Sequence, residues 1–350
     1  MTDSSARNHE KSIFRNWRYG VGWLLAAAGL IWVLRDIHPS KLVLQLAGID
    51  WRWVALAMFC DVLSYVVQAV RWRLLLKPVG KIKLSQSAQA IFAGLFTNEV
   101  LPMRPGEFVR CYLAALWMRA GFVSILPSII VERLFDGVWI AMGIGLAAIF
   151  APLPEDLIEA GETFGAVIAL IVVLFAYLVL RRPRPGGRQA NRCLPGWKPL
   201  RAVVALLTRL VEGLRETGRT KEFYLAFVLS LFFLAMQTLA FWLIMLGYGL
   251  RLSLWVGVAV FVIVNLGTAL PNTPANVGSY QFFTVLGLTL FGVDKTSATG
   301  FSLVVFALLT LPPLLIGFLA LSRSGMSLAA IRDELRRPER RADIFHPQNL

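Results

Sequence analysis

Apolar stretches separated by short polar segments follow one another along almost the whole chain. A helix needs about 20 mostly apolar residues to cross a bilayer. Stretches of roughly this kind occupy residues 19–34, 51–70, 125–150, 164–180, 223–246 and 297–321. The pattern therefore predicts an all-α polytopic membrane protein with six full spans.

Two further apolar segments, residues 85–118 and 252–293, are each interrupted in the middle by proline and glycine. Both interruptions contain the pattern Leu-Pro-x-x-Pro, and an asparagine, Asn98 or Asn265, precedes each one. Helices broken at corresponding places in two halves are typical of transporters built from inverted repeats. We predict two re-entrant broken-helix hairpins that enter from opposite faces and are related by an inverted repeat. Chance recurrence of common loop residues is the alternative.

Basic residues are concentrated in a few segments of this chain, which is 57% hydrophobic and has a net charge of +14. They gather near the N-terminus, in residues 71–83 and 181–221, and in the C-terminal tail. Lysine and arginine in short loops favour the cytoplasmic side of a membrane. We therefore predict a multi-pass protein of the cell (inner) membrane with both termini cytoplasmic. Its predicted parts are a cytoplasmic N-terminus (1–18), a single transmembrane domain (19–322) with a basic cytoplasmic loop (181–222), and a tail (323–350).

Tryptophans stand at the predicted ends of the second span. Trp51, Trp53 and Trp72 are placed where interfacial anchors belong, and Arg71 falls in the loop beyond the span. The chain contains no zinc finger or base-stacking motif, so the positive charge predicts membrane orientation and no nucleic-acid partner.

Charged residues crowd in and beside the first interrupted segment. Burying one charge at the bilayer centre costs on the order of 3 kcal/mol, so these side chains must pair, face water or lie near the interface. We predict that three arginines form a cationic pocket for a lipid phosphate, which suits the guanidinium fork: Arg104, Arg110 and Arg133. The predicted supporting polar network is Asp61, Asn98, Glu99, Glu107, Glu132 and Asp136. A salt-bridge network that only holds helices together is the alternative.

The second interruption offers amide, glycine and proline residues without charge: Asn265, Pro271, Pro274, Asn276, Gly278 and Gln281. Proline suits the first position of a helix, so Pro105 and Pro274 are predicted to begin the second helix of each hairpin. We predict that this uncharged segment lines the outer half of a lipid path. A purely structural kink is the alternative.

Metal and cofactor chemistry finds little support in the residue types present. The three histidines lie near the ends or in a loop, and the three cysteines are far apart. No nucleophile is placed beside a base, although Glu107 or Glu132 could act as one. We predict no metal and no cofactor, and the residues favour transport over catalysis.

Three motifs resemble one known family: Arg71-Trp-Arg-Leu-Leu75, Asn98-Glu-Val-Leu-Pro-Met-Arg-Pro-Gly-Glu-Phe-Val-Arg110 and Glu132-Arg-Leu-Phe-Asp136. Pro274-Ala-Asn-Val-Gly-Ser-Tyr-Gln281 is similar to a later signature of the same family. Together they resemble the lysylphosphatidylglycerol synthase transmembrane-region (flippase-like, UPF0104) family over about residues 15–322. The resemblance implies a membrane domain that moves an aminoacylated phospholipid, or one that serves polyprenyl-phosphate sugar or hopanoid pathways.

The chain departs from that family in two respects. Where the family commonly has Gly-Gly and a nearby acidic residue, this chain has Ala275-Asn276 and Gln281, which weighs against ion coupling there. The aminoacyl-transferase domain has no counterpart after Leu321, so we do not expect lysine transfer.

The expected function is a flippase or transporter that moves an anionic lipid, of phospholipid or polyprenyl-phosphate type, between leaflets. The alternatives are a membrane transferase that acts on a lipid-linked substrate and a non-catalytic membrane subunit of an envelope-lipid pathway. Expected partners are membrane lipids with anionic head groups, a second copy of the chain, or enzymes of envelope biosynthesis.

Overall fold

The structure is a computed structural model that describes residues 31–33, 45–101, 105–151, 153, 155–180, 208, 210–269 and 276–323. Within these ranges the chain is helical and contains no strand. The principal helices are α1 (Trp51–Leu75), α2 (Leu84–Val100), α3 (Gly106–Met118), α4 (Phe122–Phe150), α5 (Glu155–Leu180), α6 (Lys221–Gly247), α7 (Leu254–Thr268), α8 (Ser279–Leu290) and α9 (Lys295–Ser322).

Five helices in the described ranges are long and apolar enough to cross a membrane: α1, α4, α5 from Leu157 onward, α6 and α9. They confirm the all-α membrane class and five of the six predicted spans. The first predicted span, residues 19–34, lies almost wholly outside the described residues. α1 continues to Leu75 instead of ending near residue 70, so Arg71, Trp72 and Arg73 are helical.

Both interrupted segments form two helices separated by a break, as predicted. The chain leaves α2 at Val100 and enters α3 at Gly106, directly after Pro105. It leaves α7 at Thr268 and enters α8 at Ser279. Proline cannot donate the amide hydrogen bond that a continuous helix requires, which explains why the breaks fall in these proline-containing segments.

Glycines let the two arms of each hairpin approach closely. In the first hairpin, a Cβ atom on Gly94 of α2 would lie 2.8 Å from the carbonyl oxygen of Gly106 in α3. In the second, a Cβ atom on Gly267 of α7 would overlap the Phe283 ring of α8. Because glycine has no side chain, the two helices of each hairpin can approach this closely.

The second arm of the second hairpin begins later than the sequence predicts. α8 starts at Ser279 with Gly278 as its N-cap, so the predicted start at Pro274 is wrong. Asn276 and Gly278 have φ angles of 54° and 90°, a left-handed backbone that cannot continue into a helix. Gln281 Oε1 accepts a hydrogen bond of 2.7 Å from the Gly278 N–H and so satisfies a donor at the helix start.

The order of helix lengths occurs twice along the chain. α1 to α4 have 25, 17, 13 and 29 residues. α6 to α9 have 27, 15, 12 and 28 residues. Each set is a long helix, a broken hairpin and another long helix, and α5 and the helical residues 210–218 lie between the sets. This correspondence agrees with a repeat in the architecture.

The chain packs into two compact units, each formed from separate stretches. The first comprises Met1–Phe59, Thr97–Pro105 and Thr238–Pro312. Within it, α7 packs against α8, and the Phe241 ring lies 5.5 Å from that of Phe301. The second comprises Cys60–Phe96, Gly106–Gln237 and Pro313–Leu350. Within it, α4 packs against α3 and α5, and the Phe135 ring lies 4.9 Å from that of Phe223.

Basic residues collect at one end of the second unit. Lys77 Nζ lies 2.5 Å from Glu222 Oε1, so the turn after α1 adjoins the start of α6. Arg215 and Arg219 donate hydrogen bonds of 2.7 and 3.0 Å to carbonyl oxygens near the end of α5. Cations at a helix C-terminus satisfy its last carbonyls. The turn after α1, the end of α5 and the start of α6 therefore lie at a common end, which carries these basic residues.

Candidate functional site

One face of α1 carries a buried polar stripe. Asp61, Ser64, Gln68 and Arg71 follow one another at intervals of three or four residues, which places them on the same helix face. All four are buried. The predicted loop position of Arg71 is wrong, because the side chain is inside the helix and has no exposed surface. A buried guanidinium requires partners, and α4 supplies them.

Arg71 belongs to a closed ring of six charged residues in which arginines and carboxylates alternate. In order around the ring, the members are Arg71, Glu132, Arg110, Glu107, Arg133 and Asp136. They come from α1, α3 and α4 of the second unit. Three positive and three negative charges make this charge ring electrically neutral.

The deep side of the charge ring is held by short contacts. Arg71 Nη2 lies 2.5 Å from Glu132 Oε1, and Arg71 Nη1 lies 2.5 Å from Asp136 Oδ1. Arg110 Nη2 pairs with the other oxygen of Glu132. Gln68 Nε2 donates a further hydrogen bond of 3.3 Å to Glu132 Oε1. Glu132 therefore has three partners.

The other side of the charge ring is looser and accessible. Arg133 Nη2 lies 2.6 Å from Glu107 Oε1, and Arg110 Nη2 lies 3.0 Å from Glu107 Oε2. The Arg133–Asp136 contact is longer, at 3.4 Å. The side chains of Glu107 and Arg133 are 41% and 55% exposed, whereas those of the other four members are at most 10% exposed. The ring thus has a sealed side and an open edge.

Neighbouring aromatic and hydroxyl groups fix the two buried arginines. Arg71 Nη1 donates a 2.9 Å hydrogen bond to Ser230 Oγ of α6, and its guanidinium lies 4.8 Å from the Phe233 ring centre. The Arg110 guanidinium lies 5.1 Å from the Trp72 ring centre. Cations are attracted to the faces of aromatic rings at such distances. α6 therefore contributes to the site although none of the predicted site residues lies on it.

Trp72 is a core residue. Its indole Nε1–H donates a 3.0 Å hydrogen bond to Ser128 Oγ, and the side chain has no exposed surface. The prediction that Trp72 anchors the protein at the interface is therefore wrong. Trp51 and Trp53 are exposed, as anchors would be.

The remaining residues predicted near the first break have different positions. Asp61 is buried on the polar stripe, and its Oδ2 finds no hydrogen-bond partner within the described part of the chain. Asn98 and Glu99 are half-buried in the last turn of α2, which belongs to the first unit. Arg104 lies outside the described residues, so its phosphate contact stays a prediction.

The polar residues of the second hairpin lie in the first unit, where several form hydrogen bonds within their own helix or at its start. Asn265 Nδ2 donates a 2.9 Å hydrogen bond to the Phe261 carbonyl one turn earlier. Gln281 is buried and engaged with Gly278. Asn276 Oδ1 is buried without a hydrogen-bond partner among the residues that the structure describes. Pro271 and Pro274 are outside those residues, so a lipid path here stays a prediction.

Arg71 belongs to the charge ring but was not among the site residues predicted from the sequence. It ends an apolar run beside Trp72 and Arg73, which is the usual pattern of an interfacial loop. The signal that could have identified it is the helical spacing from Asp61 through Gln68, which continues through Arg71. In the described ranges, no group of three or more histidine, cysteine, aspartate or glutamate residues is arranged to hold a metal ion.

Known proteins are similar to this chain over most of its length. Residues 20–317 match the family model described as the lysylphosphatidylglycerol synthase TM region. A UPF0104 membrane protein of Methanothermobacter thermautotrophicus is 26% identical over 310 residues, which cover 84% of this chain and 88% of that protein. A second UPF0104 membrane protein, from Methanocaldococcus jannaschii, is 20% identical over 309 residues, 83% of this chain and 90% of that protein.

Another relative is glycosyltransferase AglD of Haloferax volcanii. It is 26% identical over 309 residues, which cover 79% of this chain but 50% of AglD. The chain thus corresponds to about half of that protein. No solved structure matches the chain.

Proposed function

The chain belongs to the lysylphosphatidylglycerol synthase transmembrane-region family, and on this premise we propose that it is a lipid flippase or lipid transporter. An anionic head group of phospholipid or polyprenyl-phosphate type binds at the open edge of the charge ring. The lipid tails stay in the bilayer while the head group moves between leaflets. Arg110 and Arg133 contact the phosphate.

The supporting observation is the accessible arginine of the charge ring. Arg133 lies well inside α4, a helix long enough to span the membrane, yet its side chain is 55% exposed. Lipid tails cannot solvate a guanidinium, so an accessible arginine in such a helix favours contact with water or with a head group. α3 begins one residue before Glu107, so the partial positive charge of its N-terminus lies beside the open edge of the charge ring. Both features favour an anion.

The test is lipid movement in liposomes that contain the purified full chain. Fluorescently labelled phosphatidylglycerol in the inner leaflet is protected from an added quencher until it reaches the outer leaflet. We expect Arg133→Gln to slow this movement on the order of tenfold, since a hydrogen bond to a charged group is lost. Arg110→Gln should slow it as well, and its melting temperature will show whether the protein remains folded.

Arg73→Gln is the matched control. Arg73 is an exposed arginine two residues from Arg71 and is not a member of the charge ring. Its replacement should leave lipid movement unchanged. Wild-type rates for Arg133→Gln and Arg110→Gln would show instead that the charge ring only holds helices together.

A second candidate function is a transferase step on a lipid-linked substrate. The similarity to glycosyltransferase AglD over 79% of this chain favours it. Purified protein incubated with a lipid-linked sugar donor and acceptor lipid would form a new glycolipid on this hypothesis. If the protein forms this product, and lipid moves between leaflets no faster than in liposomes without protein, the transferase function replaces the transport proposal.

The proposed location is the cell membrane, with both termini in the cytoplasm. The common basic end of the second unit supports this orientation, because loops rich in lysine and arginine remain on the cytoplasmic side. Arg71 lies one helical turn from the end of α1, so the charge ring lies toward that basic end. The head group would accordingly enter from the cytoplasmic leaflet.

A further inference from the structure

Glu107 occupies the place between two arginines where an anion would bind. Its Oε1 lies 2.6 Å from Arg133 Nη2, and its Oε2 lies 3.0 Å from Arg110 Nη2. The two arginines come from different helices, α4 and α3. A phosphate that presents two oxygens can make the same pair of contacts. The carboxylate therefore stands where a head-group phosphate would have to sit.

Glu107 is the least firmly held carboxylate of the charge ring. Glu132 is fully buried and has three partners, and Asp136 makes a 2.5 Å contact with buried Arg71. Glu107 Oε2, in contrast, has an ion pair with Arg110 but accepts no aligned hydrogen bond from the described residues. Its side chain is also 41% exposed. Of the three carboxylates, Glu107 leaves the ring at the lowest cost.

The arginine behind Glu107 keeps a free donor. Arg110 is buried, and its Nε has no hydrogen-bond partner in the part of the chain that the structure describes. A buried donor without an acceptor is unfavourable. A larger anion with three or four oxygens has further acceptors to offer it, whereas both Glu107 oxygens already face Nη atoms. This unsatisfied group agrees with a ligand that offers more acceptors than the carboxylate does. Arg71 Nε is also without a partner among the described residues, but it lies on the sealed side of the ring, whereas Arg110 contacts Glu107 at the open edge.

Electroneutrality requires exchange instead of simple addition. The charge ring has no net charge, so an anion added to it would introduce an uncompensated negative charge beside buried carboxylates. An anion that replaces Glu107 keeps the balance, because the released carboxylate turns toward solvent. Only the exchange avoids a charge penalty in a low-dielectric site.

We propose that Glu107 is a built-in competitor for the phosphate of the lipid head group. The carboxylate closes the charge ring in the empty protein, and the phosphate binds to Arg110 and Arg133 by displacing it. When the lipid leaves, Glu107 returns and prevents both arginines from holding the head group permanently. This inference rests on the proposed lipid transport and assigns Glu107 the control of head-group affinity.

Binding to the purified full chain in a nonionic detergent tests the competition. The probes are short-chain phosphatidylglycerol and inorganic phosphate, each titrated by calorimetry. We expect Glu107→Gln to bind phosphatidylglycerol on the order of fivefold more tightly than wild type, a factor in the range of exposed ion pairs. Tighter binding of both probes would locate recognition in the phosphate, whereas tighter binding of the lipid alone would show that the tails contribute. Both results support competition.

Two further variants control this comparison. Glu222→Gln removes another carboxylate of the same unit that pairs with a single lysine, Lys77, and should bind like wild type. Glu107→Asp keeps the negative charge with a shorter side chain and should remain near wild type. A gain for Glu107→Asp equal to that of Glu107→Gln would indicate general loosening of the helix and would overturn the inference.

The remaining outcomes separate the inference from the proposed function. One result would contradict competition alone. In it, wild type binds phosphatidylglycerol, Arg133→Gln binds this lipid more weakly, and Glu107→Gln binds it no more tightly than wild type. Glu107 would then support the arginines, and competition would be wrong. If wild type binds neither probe, or Arg133→Gln binds as wild type does, the phosphate site itself is wrong. The proposed transport through this site would then fail together with the inference.

Discussion

Glu132 joins two arginines from different helices at one point inside the second unit. Its Oε1 accepts hydrogen bonds of 2.5 Å from Arg71 Nη2 and 3.3 Å from Gln68 Nε2, and its other oxygen pairs with Arg110. Its side chain has no exposed surface. When one partner of a buried ion pair is removed, the remaining charge has no compensation. At the residue scale, removing the charge of this glutamate therefore deprives two buried arginines of a compensating charge.

We predict that Glu132→Gln lowers the free energy of unfolding by about 3 kcal/mol, the usual cost of breaking a buried ion pair. The amide keeps the shape of the side chain but cannot balance two guanidinium groups. Thermal unfolding in detergent, followed by loss of the monodisperse elution peak, measures the change. Glu222→Gln, which breaks the exposed pair with Lys77, should leave the unfolding temperature almost unchanged. Equal effects of the two variants would contradict this account.

Asp61 should respond to neutralisation in the opposite way from Asp136. Asp136 accepts a 2.5 Å hydrogen bond from Arg71, so Asp136→Asn should lower the unfolding temperature. Asp61 Oδ2 has no hydrogen-bond partner within the described ranges, and an unpaired buried carboxylate is costly. We predict that Asp61→Asn leaves the unfolding temperature equal or higher. A fall as large as that of Asp136→Asn would reveal an ionic partner for Asp61.

At the scale of elements, the first hairpin depends on how closely its arms approach. Gly94 of α2 faces the carbonyl oxygen of Gly106, and a Cβ atom there would lie 2.8 Å away. A backbone oxygen cannot move aside as a flexible side chain can. Because α3 carries Glu107 and Arg110, a shift of this arm also changes the open edge of the charge ring.

We predict that Gly94→Ala destabilises the protein by about 1 to 3 kcal/mol, the range of overpacking in a filled interior. Gly145→Ala is the matched control, since a Cβ atom at Gly145 of α4 would meet nothing within 4 Å. Gly94→Ala should change both the unfolding temperature and the phosphatidylglycerol titration. Gly145→Ala should change neither. Normal stability of Gly94→Ala would mean that the arms can separate freely.

The elements were predictable where proline or uniform apolarity determines them. Five spans and both breaks follow from these signals, because proline removes a hydrogen bond from a helix. Proline alone does not decide a break, since Pro127 lies inside α4 without ending it. The end of α1 and the start of α8 were not predictable from them. Arg71 is helical because Glu132 and Asp136 neutralise it, and α8 starts at Ser279 because Gly278 has a φ of 90°. Tertiary contacts and backbone conformation decided these boundaries.

At the scale of the whole molecule, the charge ring shows the same limit of sequence reasoning. Five of its six members were among the predicted site or network residues, because charges in apolar segments are conspicuous. Their closure into a neutral ring was not predictable, since it requires contacts between helices that lie far apart in sequence. The order of helix lengths that occurs in both halves was visible only once the ends of the helices were known.

The number of times the chain crosses the membrane between Lys77 and Glu155 depends on the topology of the first hairpin. If the hairpin returns to the face from which it enters, only α4 crosses the membrane between Lys77 and Glu155. We predict that Lys77→Cys and Glu155→Cys, made in a variant without native cysteines, react with an impermeant maleimide from opposite sides. Spheroplasts and inverted vesicles provide the two sides. Labelling from one side only would mean that α2 and α3 form a broken span.

The neutrality of the charge ring has an electrical consequence. A membrane potential acts on a charge in proportion to its magnitude, about 2.3 kcal/mol per elementary charge for each 100 mV. Three guanidinium and three carboxylate groups held together experience almost no net force. On the proposed lipid transport, the field would act on the charged head group and hardly on the charge ring. Voltage would then bias the direction of lipid movement without distorting the empty protein.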